Sequence, residues 1–494
     1  MIERTDVVQN PFATLSAAWM TFVGGILSSG ILFLTFPDDL GIKIFAMSLL
    51  VLISAASTRF DFMHPFVWFG FSFLLYSIAG PLLIYLDVPP ILTRSVFRIE
   101  ELDFSYTMDI QYIALLAAFL VIGPRRLNYE RVLSDDRRQP FFLGIMPVFL
   151  LAAVISAISV MAIVAEGHVT KSDVALHGSW VTRLSFGFNV LATCTVVYMV
   201  RQYQAKRDVQ AHVFIAVIAA IGVLVVLYTG QRDFLFRFLV VATFVVHVAH
   251  RRLTLTTIVP LAIVGAVLIA IMGGLKTVML SGAASNLDLE NVSVLLGLSS
   301  AYDQTLVSAG SPLKYYATLV ATMALGSEFL TVGNNLALLF HLVPHEIPFQ
   351  NGSTLVYDVV RAFTPGVFDF ASKTESSVYV FNAIFFPEAS SKGIGEGFSL
   401  VGAGYFNFGL PGAILIMVVF GFVIRLLYRW SVRSPFGMFF YISFIPIAMF
   451  TTRSDPGVPI SQGLKHVLVP LVLMLLVAAL STRRTSGRES LPAV

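Results

Sequence analysis

The amino-acid sequence predicts an all-α integral membrane protein of about twelve spanning helices with one large external segment, and three observations carry that prediction. Hydrophobic residues make up 57% of the 494 and charged residues only 12%, about half the ~25% usual in soluble domains. The apolar residues come in long uninterrupted runs, which need lipid and not a globular core. Lysines and arginines cluster between alternate runs, the pattern that retains those loops on the cytoplasmic side.

Taken in order, the candidate spans are 17–36, 42–57, 65–86, 110–123, 141–165, 184–200, 211–228, 234–249, 255–274, 402–427, 436–450 and 464–480. The first is long for the apolar centre of a signal peptide and more runs follow at once, so it reads as a spanning helix. Arg59 separates the second run from the third. Arg125, Arg126, Arg131, Arg137 and Arg138 follow the fourth. Arg201, Lys206 and Arg207 follow the sixth, and Arg251 and Arg252 the eighth. Arg425, Arg429 and Arg433 close the tenth, and Arg483, Arg484 and Arg488 the last. All of these fall on one side, which is expected to be cytoplasmic together with both termini.

The chain accordingly divides into N-terminal spanning helices (1–274), an external segment (275–400) and C-terminal spanning helices (401–494). Within the external segment the apolar stretch 312–344 is interrupted by Gly326, Glu328, Asn334 and Asn335. A single crossing there would translocate the Arg425 to Arg433 cluster, so helices lying on or dipping into the outer leaflet are expected. Glycine, proline and serine concentrate at 310–312, 352–353, 365–366 and 390–397, which predicts short helices joined by turns.

Several function classes are excluded. Net charge is only +3 and no Lys/Arg tract is long enough to follow a phosphate backbone, so nucleic acid is not an expected partner. The single cysteine, Cys194, lies in an apolar run and supports neither a disulfide framework nor a Cys-based metal site. His341 and His345 could share a helix face, but Pro344 stands between them and no H-E-x-x-H is present, so no metal is expected. No phosphate-binding G-x-x-x-x-G-K-[ST] loop occurs. Gly393, Gly395 and Gly397 lack the strand-turn-helix setting of a dinucleotide site, and GFSLVG at 397–402 is no nucleophile elbow. No cofactor is expected.

Basic residues on the outer side are more informative, because the topology rule does not account for them. Arg232 and Arg237 bracket the start of the 234–249 run, Lys276 follows the 255–274 run, and Arg453 and Lys465 flank the last external loop. Arg237 lies a turn inside its helix, where an unpaired guanidinium is costly. Two readings follow. Asp233, four residues earlier, could pair with Arg237 while Arg232 snorkels to the headgroups. Alternatively these residues line an anion site at the outer boundary, joined by Arg361, Lys373 and Arg453 if the long segment folds back. An anion site at that depth suits a polyprenyl diphosphate, whose tail stays in the bilayer. Arginine's planar fork suits bidentate phosphate contacts, and fixed cations can stabilise a departing diphosphate without a metal.

Three pieces of sequence carry a resemblance. TGQRDFLFRFLVVATFVVH at 229–247 contains a G-x-R at the outer end of a helix. VVRAFTPGVFDFASK at 359–373 is a Pro-containing external stretch ending in lysine. GEGFSLVGAGYFNFGLPGAILIMVVFG at 395–421 leads into the helix after the long segment through Tyr405, Asn407, Phe408, Gly409 and Gly412. In that order the pieces resemble Wzy-type polymerases of oligosaccharide repeat units, the O-antigen and exopolysaccharide polymerases. Gly366 and Ala403 depart from the family pattern, standing where Arg and Glu are frequent.

The resemblance implies a GT-C-like fold in a bacterial inner membrane. It implies a glycosyltransferase reaction in which a growing glycan leaves undecaprenyl diphosphate for the non-reducing end of a new lipid-linked unit. Undecaprenyl diphosphate-linked oligosaccharide and membrane lipids would be partners, with a flippase and a chain-length regulator of the same pathway possible. Arg232, Arg237, Lys276, Arg361, Lys373, Arg453 and Lys465 would hold the diphosphates, with Arg361 acting on the leaving group. Glu396, in the glycine-rich approach to Tyr405, is the favoured general base and Glu328 the second choice. Tyr405 and Asn407 would bind sugar, or instead cap and anchor the following helix. An O-antigen ligase and a transporter or flippase of lipid-linked sugars are the alternatives. A transporter predicts paired broken helices and midplane charges in related halves, and no internal repeat is visible.

Overall fold

The computed structural model describes residues 11–85, 104–128, 141–166, 233–250, 253–254, 256–257, 260, 328–363, 376–391 and 397–486. Among these residues every regular element is helical. The first group comprises α1 (Pro11–Thr35), α2 (Leu40–Ser57), α3 (Pro65–Tyr85), α4 (Phe104–Ile122) and α5 (Phe141–Ala165). Then come α6 (Asp233–Val245) with a π-helical turn Val246–His250, and α7 (Glu328–Leu342), α8 (Ser353–Phe363), α9 (Ser377–Phe385) and α10 (Pro387–Ser391). The last group is α11 (Leu400–Ser431), α12 (Pro435–Met449) with a 3-10 turn Phe450–Thr452, α13 (Gly457–Gln462), a π-helical turn Gly463–Leu468 and α14 (Val469–Ser486).

Among the described residues, seven helices are long and apolar enough to cross a membrane, within 16–35, 40–57, 65–82, 104–122, 400–431, 435–452 and 457–480. The expected runs 184–200 and 211–228, and most of 255–274, lie outside the described residues. Helix α4 begins at Phe104, six residues before the apolar run that announced it. Its early polar residues are paired: the buried ammonium of Lys43 on α2 meets Asp109 at 2.5 Å and donates to Ser105 Oγ at 2.7 Å. A hydropathy reading discards such residues because it sees each charge without its partner.

The core is a set of close helix pairs, α11 on α4, α2 on α1 and α3, and α14 on α5. The α4–α11 contact is close because Gly421 rests on the backbone of Ala118, where a Cβ would lie 2.9 Å from the Ala118 carbonyl oxygen. Small residues set such approaches between helices in lipid. Helix α7 is not laid on the outside of the bundle. It packs against α3, α4 and α11, with Val332, Leu336 and Leu339 buried. Helix α8 reverses the pattern of a helix in water: Thr354 and Asp358 are buried while Val356, Val359, Val360 and Phe363 are exposed, a distribution suited to apolar surroundings.

Contacts sort the helix ends into two sets. At one end the starts of α2, α4 and α11 meet through Lys43, Asp109, Tyr106 and Tyr405. At the other, arginine-rich end, Arg425 near the end of α11 donates to Val121 O on α4 at 2.8 Å, and Tyr441 on α12 donates to Met63 O at 2.7 Å. Buried Asp61 at that end lies 3.4 Å from Arg126 and 3.8 Å from His247. Burial pushes the Asp61 carboxyl up, but the His247 hydrogen bond and the charges of Arg126 and His64 outweigh it and hold its pKa below the usual value. Burial lowers His64 to about 4, against the pull of Asp61.

Candidate functional site

The end opposite the arginine-rich one is organised by a break in α11. Phe408 (φ −140, ψ 17) and Gly409 (φ 65, ψ −153) are non-helical, and the Gly409 conformation is open essentially only to glycine. Pro411 follows, where its missing N–H costs little at the start of a new helical stretch. Gly404 and Gly412 let the two halves touch, since a Cβ on either would collide with the carbonyl of the other. The carbonyls of Phe406 and Asn407 accept the N–H groups of Gln350 and Asn351 at 3.0 and 3.1 Å, so the broken backbone stays satisfied inside the fold.

Asn407 is fully buried. Its Oδ1 accepts from Gly352 N–H and from Thr354 Oγ1, both at 3.0 Å, and its Nδ2 donates to Ala403 O at 2.8 Å. The network continues to Ser377, whose hydroxyl lies 3.0 Å from Thr354 Oγ1 and donates to Asp358 Oδ2 at 2.6 Å. Helices α8 and α9 are thereby pinned to the start of α11. Tyr405 is also buried, donates to Val343 O at 3.2 Å, and packs its ring on Phe340 at 4.4 Å. Tyr405 and Asn407, expected to bind sugar or to cap and anchor this helix, both make internal hydrogen bonds here, as buried polar groups do.

Near the start of α11, two arginines from separate elements meet one ring. Arg237 on α6 is buried, donates to Gln462 Oε1 on α13 at 2.7 Å, and places its guanidinium carbon 5.4 Å from the Phe450 ring centroid. The Arg453 guanidinium lies 4.8 Å from the same centroid. The Arg453 carbonyl accepts Phe398 N–H at 3.2 Å, and Gly397 packs against Val332 of α7 while its own carbonyl accepts from Asn335 at 2.6 Å. Buried Asp455 accepts Val458 N–H at 3.1 Å and so sets the start of α13. Helix α8, which carries Arg361, packs against α13. The arrangement offers two guanidinium groups at one ring, with Gly397 packed beside Arg453.

Residues 367–484 match the family model of the O-antigen polysaccharide polymerase Wzy. Over that stretch the chain is similar to Wzy polymerases. No curated protein and no solved structure matches the chain. The Wzy-matched stretch takes in Lys373, Glu396, Tyr405, Asn407, Arg453 and Lys465, whereas Arg232, Arg237, Lys276, Glu328 and Arg361 precede it. The fold therefore brings Arg237 to the Wzy region from outside it.

Of the residues expected in a Wzy site, Arg237 and Arg453 come together, and Lys465 lies half-buried on the π-helical turn that follows Gln462. Glu328 opens α7 and Arg361 lies on α8. Arg232, Lys276, Lys373 and Glu396 lie outside the described residues, and so does the Asp233 side chain proposed to pair with Arg237. Sequence reading missed Phe450, Gln462 and Asp455. An apolar ring at the end of an apolar run carries no signal of its own, and Gln462 gains meaning only from Arg237, which is 225 residues away. The Lys43–Asp109 pair was equally invisible.

Proposed function

We propose that this multi-pass membrane protein polymerises lipid-linked oligosaccharide repeat units at the outer face of a bacterial inner membrane. The growing glycan would pass from undecaprenyl diphosphate to the non-reducing end of a new unit. The acceptor hydroxyl attacks the anomeric carbon, the bond from that carbon to the diphosphate oxygen breaks, and the hydroxyl proton goes to a carboxylate. The observation that carries this reading is the convergence of Arg237, from outside the Wzy-matched stretch, with Arg453 inside it. Two guanidiniums held in place before the reaction can stabilise a leaving diphosphate without reorganising. Arg232, Arg361, Lys276, Lys373 and Lys465 are proposed to complete the cation set.

Glu396 and Glu328 are the proposed bases. Gly397, which follows Glu396, packs beside Arg453, and Val332, one turn beyond Glu328, touches Gly397. This neighbourhood of Gly397 and Val332 supports the choice of the two carboxylates. The reading includes twelve spans in a GT-C-like arrangement, both termini in the cytoplasm, and a flippase and a chain-length regulator as neighbours in the pathway. An O-antigen ligase would share this site and differ in acceptor.

The test is glycan chain-length profiling in a deletion strain complemented with wild type, Arg237→Ala or Arg453→Ala at matched membrane expression. Collapse of long chains to single repeats is the expected outcome. Unchanged ladders in both variants would remove the diphosphate site, and unchanged polymer in the deletion strain would return the transporter reading.

A further inference from the structure

At the arginine-rich end, far along α11 from the break, lies a second cationic cluster that the proposed reaction does not use. Arg425 and Arg429 lie one turn apart on α11, Arg433 follows its last turn, and Arg125 arrives from the segment after α4. That segment is pinned in place: Arg425 Nη1 donates to Val121 O at 2.8 Å, and Tyr428 Oη accepts Leu127 N–H at 3.1 Å. As a result Arg429 interacts electrostatically with Arg425, Arg125 and Arg433. Arg126 is engaged by Asp61, but among the described residues no carboxylate pairs with any of the other four. Arg425 Nε is also buried without a hydrogen-bond partner.

Retention of basic loops explains why arginines occur at this end, but not why two separate elements bring four of them together against mutual repulsion. An anion bound among them resolves the repulsion. Its depth is marked by tryptophan, which favours the headgroup level. The Trp19 ring lies 3.6 Å from where a Cβ would stand on Gly123, and Trp430 packs on Phe436 and Phe440 at the same end.

We propose that Arg125, Arg425, Arg429 and Arg433 bind the phosphodiester of an anionic phospholipid headgroup, in the leaflet opposite the candidate active site. Guanidinium forks match the two free oxygens of a phosphodiester, and basic sites between helices near the membrane surface select such headgroups. The site holds α4 against α11 at one end, while the break in α11 lies at the other.

The test uses the full-length protein, delipidated in neutral detergent and titrated with dioleoyl phosphatidylglycerol, tetraoleoyl cardiolipin, dioleoyl phosphatidylcholine or inorganic diphosphate. Retained lipid is read by native mass spectrometry and Tm by thermal unfolding. Wild type is expected to retain the anionic lipids and gain Tm with them, and not with phosphatidylcholine. Arg429→Gln/Arg433→Gln should bind them at least tenfold more weakly. Arg429→Lys/Arg433→Lys keeps the charges that set topology and should show an intermediate loss. Should the glutamine variant not fold, Arg125→Gln, at an exposed position, is expected to show the same weakening. Undiminished anionic-lipid binding in these variants would overturn the proposal. Stabilisation by inorganic diphosphate equal to that by lipid would overturn it in favour of a soluble anion.

Discussion

The Phe450 ring centroid lies 5.4 Å from the guanidinium carbon of Arg237 and 4.8 Å from that of Arg453, so one ring contacts both charges. Phe450→Leu keeps the apolar bulk and removes the quadrupole. Removing each cation–π interaction should cost about 0.5–2 kcal/mol, read as a lower Tm together with shorter glycan chains. A Leu variant with wild-type stability and full-length chains would show that the ring does not hold the arginines. His64 makes a different prediction. Its pKa falls to about 4 in the folded protein from 6.5, so between those values the unfolded chain binds more protons and stability rises with pH. Its contribution is present above about pH 6.5 and is lost as pH falls toward 4, an effect on the order of 3 kcal/mol. Asp61, held below the carboxylate range, loses its own contribution only at lower pH. The difference in Tm between wild type and His64→Asn should therefore shrink from pH 7 to pH 4.5; a difference independent of pH would mean that His64 does not stay neutral in the fold.

At the scale of elements, α11 differs most from its expectation. The apolar run 402–427 predicts one helix, and the structure contains two stretches joined at Phe408–Gly409. Average hydropathy over a whole span cannot register two dihedral angles, although glycines at 404, 409 and 412 and Pro411 are the residues such a join requires. Gly409→Ala would force a side chain into the φ 65 conformation and against the Phe349 ring, 3.1 Å from the added Cβ. A cost of about 1–3 kcal/mol is expected, with loss of long glycan chains before loss of membrane insertion. Normal polymer length in this variant would separate the break from activity. Helices α8 and α9 were legible as short helices joined by turns. Their attachment was not, because Thr354, Ser377 and Asn407 are ordinary polar residues until they are buried together.

Across the whole molecule, the helix ends meet in two sets, with Arg453 in one and Arg433 in the other. In a Cys194→Ser background, single cysteines at Ser454 and Arg433 should react with a membrane-impermeant maleimide from opposite sides. Labelling of both from the same side would contradict the orientation of α12, which separates them in sequence.

Sequence alone determined that the chain lives in lipid, where most of its described helices fall, and which residues carry the likeness to Wzy polymerases. These are properties of local composition and order, and the hydrophobic effect and the energetic cost of translocating positive charge act on them segment by segment. Only the tertiary structure decided that Arg237 meets Gln462 and the ring shared with Arg453, that Lys43 meets Asp109, and that four arginines gather at the far end of α11. Those arrangements depend on contacts between residues far apart in the chain. The energy of a buried charge or amide is set by its partner, and the sequence names that partner without saying where it stands.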